Sequence, residues 1–258
     1  MVSCQFVRYR LPLMNRIRDN HRCCAAVTLG GDAGGGRGRL RAIDSDEKEA
    51  RRQAILDAAD RLFADRQDLA NVADVAMAAG LAKGTVYLYF QSKEEIYLAL
   101  HLRHVEHFFT SLIERLNGTQ PFRFEEMQAL ANEHILDAKT YLPLSACCIG
   151  FAAGTVREAA AAHFQARLTE WLLAAGSGLE GHFAKLARGE GVRLLKHSYA
   201  IMVGLYSLMR TEQAGPLCPR LAGMGSFQQE ASLALSRYWS HVAGVEGSAG
   251  NTNIIQAE

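Results

Sequence analysis

Ala79-Gly80-Leu81-Ala82-Lys83-Gly84-Thr85-Val86-Tyr87-Leu88-Tyr89-Phe90, followed at once by Gln91-Ser92-Lys93-Glu94-Glu95, decides how the chain is read. Gly80 supplies the left-handed or otherwise strained conformation that ends one helix abruptly. The next segment restarts within two or three residues, which leaves room only for the sharp turn of a helix-turn-helix. The second helix of the pair is presented outward and carries side chains suited to phosphates and base edges.

The flanks fit the same reading. Ile55, Ala58, Ala59, Leu62 and Phe63 recur at helical spacing between residues 46 and 65 and predict one apolar face, with charged residues on the other. Asn71 is a candidate N-cap for a second helix whose buried stripe is Val72, Val75, Ala76 and Ala79. The spacing predicts a third helix over 83–90. Ser92 and Glu95 have the S-x-x-E spacing of a capping box, opening a long fourth helix that carries Ile96, Leu100, Phe108, Leu112 and Leu116.

At 258 residues the chain is too long for one small module and fits a small domain joined to a larger one. Proline is limited to 5 residues and no train of alternating apolar and polar residues suggests a sheet, so the expected fold class is all-α. The net charge of +1 does not announce a nucleic-acid binder. Its distribution is uneven: residues 1–44 hold eight arginines (Arg8, Arg10, Arg16, Arg18, Arg22, Arg37, Arg39, Arg41) against Asp19, Asp32 and Asp44, leaving the remainder mildly acidic. With its run Gly-Gly-Asp-Ala-Gly-Gly-Gly-Arg-Gly-Arg, this stretch is expected to be a disordered basic extension or the product of an over-long start-site assignment, and it lacks the apolar run of a secretory signal.

The six cysteines, Cys4, Cys23, Cys24, Cys147, Cys148 and Cys218, have no Cys-x-x-Cys or Cys/His spacing for a zinc site, which fits a reduced setting without metal. The longest uncharged stretch, residues 140–156, is interrupted by Pro143, Gly150 and Gly154 and is shorter than the roughly 20 apolar residues of a membrane span. The enzyme class has little support: there is no G-x-S-x-G, H-E-x-x-H, P-loop or dinucleotide fingerprint, and no cofactor is implied.

Residues 48 to about 107 resemble the DNA-binding domain of the tetracycline-repressor (TetR) family of bacterial transcriptional regulators. The leading Ala-Ile-Leu-Asp-Ala-Ala with Leu62-Phe63, the Val-Ala-Asp-Val-Ala helix, the turn and recognition helix, and Ser-Lys-Glu-Glu carry the likeness. Two departures stand out. The family's usual Gly after the first helix and Ser or Thr before the second are replaced by Arg66-Gln67-Asp68-Leu69-Ala70-Asn71, about one residue short, and Ala82 stands where a Ser is common. The resemblance implies an N-terminal three-helix head over 45–107, with its helix-turn-helix at about 71–90. It further implies a helical effector-binding and dimerisation domain over 108–246; residues 247–258 are expected to form a disordered tail.

Within the head, Lys83 and Thr85 open the recognition helix, and Gly84 lets backbone and DNA approach closely. Tyr87 is the candidate for base or thymine-methyl contact. Tyr89 is assigned to a flanking phosphate, as are Asn71 and Lys93 at helix starts. Val86 and Phe90 are read as core, and Arg51 and Arg52 as a solvated face.

One such head reads few base pairs, so a two-fold dimer on a palindromic operator is expected, with reading helices roughly 34–36 Å apart. Leu195, Tyr199, Met202 and Tyr206 form a heptad-like seam, repeated near the end by residues including Tyr238. Cys147, Phe151, His163, Phe164 and Trp171 are candidate lining for a small-molecule effector pocket. The functional expectation is a cytoplasmic, nucleoid-associated homodimeric regulator of double-stranded DNA, a repressor released by a small molecule. The alternative is a DNA-bound interaction protein of the same fold that answers to a protein partner or to DNA occupancy.

Overall fold

The computed structural model describes residues 35–151, 154–213 and 225–245, and the regular structure among them is entirely helical. The expected unstructured stretches 1–34 and 247–258 lie outside the described residues. Contacts divide the chain into residues 1–43 and 44–258, and the second unit holds both hydrophobic cores. Helix α1 (Gly35–Arg66) starts at Gly35, whereas the sequence predicts an unstructured run to residue 44.

The first core is the head. Ile55, Leu56, Ala58, Ala59 and Phe63 of α1 meet Val72, Val75 and Ala76 of α2 (Val72–Ala78), Val86 of α3 (Lys83–Tyr87), and Ile96, Tyr97 and Leu100 of α4 (Lys93–Leu116). The buried Tyr97 hydroxyl accepts the Ala70 N–H at 3.0 Å, satisfying a backbone donor that the loop leaves without a helical partner. Asn71 caps α2, its Oδ1 accepting the Asp74 N–H at 3.0 Å, and Gly80 stops the segment with φ +68°. Helix α3 ends at Tyr87 and not at 90, because Leu88 and Tyr89 donate to carbonyls three residues back, at 3.1 and 3.0 Å, and tighten the last turn.

Helix α4 opens on Ser92, whose Oγ accepts the Glu95 N–H at 3.2 Å. It then runs out of the head into the second core, where Val105, Phe108, Phe109, Leu112 and Leu116 are buried. Around it lie α5 (Phe124–Ala131), a π-helical turn (Asn132–Leu136), α6 (Tyr141–Ile149), α7 (Glu158–His182), α8 (Glu190–Gln213) and α9 (Phe227–Ala243). Helix α7 packs on α4 and α8, and α9 covers α8. At the α7–α8 crossing a Cβ on Gly191 would overlap the Gly176 carbonyl, so only glycine permits this approach. Trp239 of α9 is fully buried, with its Nε1–H donated to Ser198 Oγ at 2.9 Å.

The shortened loop after α1 has a structural cost. Gln67 takes φ +53° to let its N–H reach the Phe63 carbonyl at 2.8 Å, the left-handed cap that glycine usually supplies. A side chain in this conformation costs about 1–2 kcal/mol. The exposed bond from Gln67 Nε2 to the Lys139 carbonyl, 3.2 Å, returns only part of that. Gln67→Gly is therefore expected to raise the stability of the chain by about 1 kcal/mol in urea unfolding. A loss of stability would mean that the Lys139 contact outweighs the strain.

Candidate nucleic-acid interface and internal cavity

The residues that leave the head core define its outer face. Val86 and Phe90 are buried, and Tyr87, between them, is turned out at 43% exposure. Lys83 is exposed, and its Nζ lies 5.9 Å from the Tyr87 ring centroid, a cation–π contact that holds both side chains on one side of α3. A Cβ at Gly84 would meet nothing within 4 Å, so this point of the helix faces open space. Thr85 and Lys93 are half-buried and Asn71 is exposed. The expected phosphate role of Tyr89 meets a different placement: it is half-buried and packs against the head core. Two residues that sequence reasoning passed over share the exposed class, Leu88 at 81% and Met77 at 77%. An exposed leucine just past a five-residue helix has no sequence signal beyond its position next to Tyr87.

In the body, a cavity of about 580 Å³ lies among α4, the π turn, α6, α7 and α8. Helix α4 contributes Leu98, His101, Val105, Phe108 and Phe109, one flank of the helix, while Ile96, Tyr97 and Leu100 on the next flank belong to the head core. Helix α6 is divided the same way: Tyr141, Ser145, Cys148 and Ile149 line the cavity, and Leu144 is buried in the head core. Among the lining residues the charged side chain is Lys196, which is exposed.

Of the sequence-predicted pocket residues, Phe151 and Phe164 line the cavity. Cys147 does not; its neighbour Cys148 does, and both also pack against the head core. His163 is exposed, on the solvent side of α7. Trp171 is buried behind the lining, stacked on Phe109 at 6.2 Å with the Arg167 guanidinium 4.6 Å from its ring. None of the predicted pocket residues lies on α4, because an apolar stripe at helical spacing reads equally as the core face of a long helix. A histidine, His101, inside an otherwise apolar stripe was the available signal.

The predicted dimer seam also moves inward. Leu195, Tyr199 and Met202 line the cavity of their own chain, because an apolar face in heptad spacing serves an intrachain core equally well. Tyr206 is half-buried edge-on to Phe227, and Tyr238 shares a hydrogen bond with His197 Nδ1 at 2.8 Å. The face of α8 left open carries Ala200, Gly204 and Leu208, and α9 exposes Leu233.

Burial sets the chemistry of the lining. It pushes the Tyr141, Tyr199 and Cys148 acids up, and the Cys147 thiol up to a smaller degree, so the two thiols stay protonated and poorly nucleophilic. His101 is held down to about 3 by burial, with a further push from His104. Among the described residues no group of His, Cys, Asp or Glu is arranged to hold a metal ion. No described helix is long and apolar enough to cross a membrane.

Two polar clasps tie this cavity to the head. Arg103 of α4 pairs with Asp57 of α1 at 2.6 Å and with Asp60 at 3.6 Å. The segment following α6 is held by Arg157, whose Nε and Nη2 reach the two Glu95 carboxylate oxygens at 2.6 and 2.8 Å, while the Arg157 N–H adds a bond of 3.0 Å. Glu95 does not close its capping box on Ser92; it accepts the Gln91 N–H at 3.0 Å, directly after the recognition helix. Burial raises the Glu95 carboxyl, but the hydrogen bonds from Arg157 and Gln91 outweigh it and hold the group below its ordinary value.

A helix-turn-helix whose second helix is exposed is the arrangement that enters a DNA major groove. Residues 55–100 match the family model of the bacterial regulatory proteins of the tetR family. Over 77 residues the chain is 39% identical to the HTH-type transcriptional repressor LfrR of Mycolicibacterium smegmatis (strain ATCC 700084 / mc(2)155), a match that covers 30% of this chain and 40% of that protein. A TetR-family transcriptional regulator from Streptomyces coelicolor superposes with a TM-score of 0.44 at 22% identity, over 74% of this chain and 99% of the other. The likeness to the TetR family is carried by the head, residues 55–100.

Because His101 is buried neutral and regains its ordinary value of 6.5 on unfolding, the unfolded chain binds the extra proton. Its contribution is intact above that value and is lost as the pH falls toward 3. Acidification from pH 7 to pH 5 is expected to remove about 2 kcal/mol through this one residue. His101→Phe should lose correspondingly less over the same interval in urea unfolding; an identical pH dependence would show that His101 is accessible to protons in the folded chain.

Proposed function

We propose that the chain is a repressor that binds a palindromic operator as a two-fold dimer and leaves it when a small molecule enters the body cavity. The observation that carries this reading is the double use of α4 and α6. One flank of each lines the cavity and the next belongs to the core of the reading head. A ligand that shifts α6 or α4 therefore alters the packing under α3. Release requires only that the ligand bind better to the arrangement in which the two heads no longer match successive major grooves.

Within the reading face, Lys83, Thr85 and Tyr87 address the major groove, Gly84 lets the backbone approach, and Asn71 and Lys93 hold phosphates to either side. Tyr89 keeps at most its edge for a flanking phosphate. Leu88, next to Tyr87 and nearly fully exposed, adds an apolar surface for a thymine methyl. The dimer is assigned to the open faces of α8 and α9 around Gly204, Leu208 and Leu233, with Tyr206 and Tyr238 at the edge. A Cβ at Gly204 would meet nothing within 4 Å in its own chain, so a partner helix can approach there.

Selection of bound fragments from random DNA is expected to return a palindrome with half-sites one helical turn apart, and binding no better than to a scrambled duplex across a salt titration would refute specific regulation. On the recovered site, Tyr87→Ala should cost about 1–3 kcal/mol and relax base preference, whereas Lys93→Ala should weaken all sequences alike and lower the salt slope by about 1. Interchanged behaviour would exchange the two roles. Leu208→Glu should leave the helical content intact, shift the chain to monomer in sedimentation equilibrium and weaken operator binding with it; an unchanged dimer would move the interface off this face.

A further inference from the structure

We propose that Arg157, a residue of the helical body, positions the DNA-reading segment: its guanidinium holds Glu95 under the end of that segment, and without it the chain loses preference for its own DNA sequence. The inference rests on the reading of α3 as the helix that enters the major groove, and it names a residue outside the head on which that reading depends.

The bonding around Glu95 carries it. The Glu95 side chain is 2% exposed. Its carboxylate accepts four bonds: from the Gln91 N–H at 3.0 Å, and from the Arg157 N–H, Nε and Nη2 at 3.0, 2.6 and 2.8 Å. The dipole of α4 favours a carboxylate in its first turn, but that benefit does not require the group to be buried. Burial makes the carboxylate depend on its counter-ion. With the guanidinium gone it keeps two backbone N–H groups and no compensating charge, a state that costs far more than the pair itself is worth. Turning toward water relieves that cost only by giving up the N–H of Gln91, the residue that follows the last turn of the reading helix.

The segment that delivers Arg157 has a second attachment at the same place. Ser92 Oγ, the cap of α4, donates to the Thr155 carbonyl at 2.9 Å while it accepts the Glu95 N–H at 3.2 Å. Residues 154–157 alternate between two neighbours. Gly154 and Val156 line the body cavity, whereas Thr155 and Arg157 bond to Ser92 and Glu95. Alternation of this kind places successive residues of one short segment on opposite sides, so the junction of α3 with α4 is held by the same piece of chain that walls the cavity. A molecule that displaced Gly154 or Val156 would act on the same bonds. Arg157 itself is half exposed, so positioning has to be separated from a direct phosphate contact.

The test uses the full chain and the DNA site recovered by selection, and reads the ratio of affinities for that site and for a scrambled duplex at fixed salt. General attraction to phosphates cancels in this ratio. Arg157→Ala is expected to lower it at least about tenfold, with the salt slope of binding unchanged. Arg157→Lys, which keeps the charge and loses the fork, should lower it about threefold, and decides the matter if Arg157→Ala does not fold. Adding Glu95→Gln to Arg157→Ala should recover at least about threefold, because the amide still accepts a backbone N–H and leaves no buried charge. Circular dichroism establishes that each variant is folded. A ratio in Arg157→Ala within about twofold of the original chain overturns the proposal. Equal loss on both duplexes with a salt slope lower by about 1 overturns it as well, by making Arg157 a phosphate contact. Failure of Glu95→Gln to recover any preference removes Glu95 as the intermediary and the proposal with it. If the original chain itself does not distinguish the two duplexes, the reading of α3 fails and the inference falls with it; a preference that every variant retains refutes the inference alone.

Discussion

Leu144 is buried in the core of the reading head, while Tyr141, Ser145, Cys148 and Ile149, within two turns of the same helix, face the cavity. Close packing makes this a hard constraint. Protein interiors do not compress, so a displacement of α6 by a molecule on one flank is delivered to the side chains on the other. Helix α4 repeats the arrangement over a longer lever, with Ile96, Tyr97 and Leu100 under α3 and Val105, Phe108 and Phe109 around the cavity. The head and the body are thus two cores with a common wall.

Under the proposed function, specificity on DNA would draw on a small number of groups. The chain as a whole is close to neutral, with a net charge of +1, so non-specific attraction to the duplex is weak and the reading face must be presented in good order. Several local devices provide that order. Asn71 and Gly80 fix the two ends of α2, Val86 and Phe90 anchor α3 from below, and Lys83 lies beside the Tyr87 ring. Side chains held in this way would lose less entropy on binding DNA.

The head was legible because its signals are local. Asn71 as a cap, Gly80 as a left-handed stop, the Ser92 cap and the apolar spacing of α1 each depend on neighbours in sequence, and each appears where the residues predict it. The cavity was only half legible. Phe151 and Phe164 follow from an aromatic-rich stretch, but which of Cys147 and Cys148 faces inward depends on the rotation of α6 about its axis, and that is set by the long-range contact of Leu144 with the head. Leu195, Tyr199 and Met202 show the same limit: their spacing establishes a buried face, and only the tertiary placement of α7 and α9 decides that the face turns inward. Gln67 shows the reverse. Its left-handed backbone lies where the sequence had already marked a departure from the family's glycine, so the irregular loop and the strained residue are one feature.

Glu95 carries a consequence of a different kind. This one carboxylate receives the N–H of Gln91 at the end of the reading segment and the side chain of Arg157 at the end of the cavity wall. Were the segment around Arg157 drawn away by a rearranged cavity, the carboxylate would keep its burial and lose its counter-ion. Its affinity for a proton would rise accordingly. Opening of the clasp and uptake of a proton would therefore be thermodynamically linked.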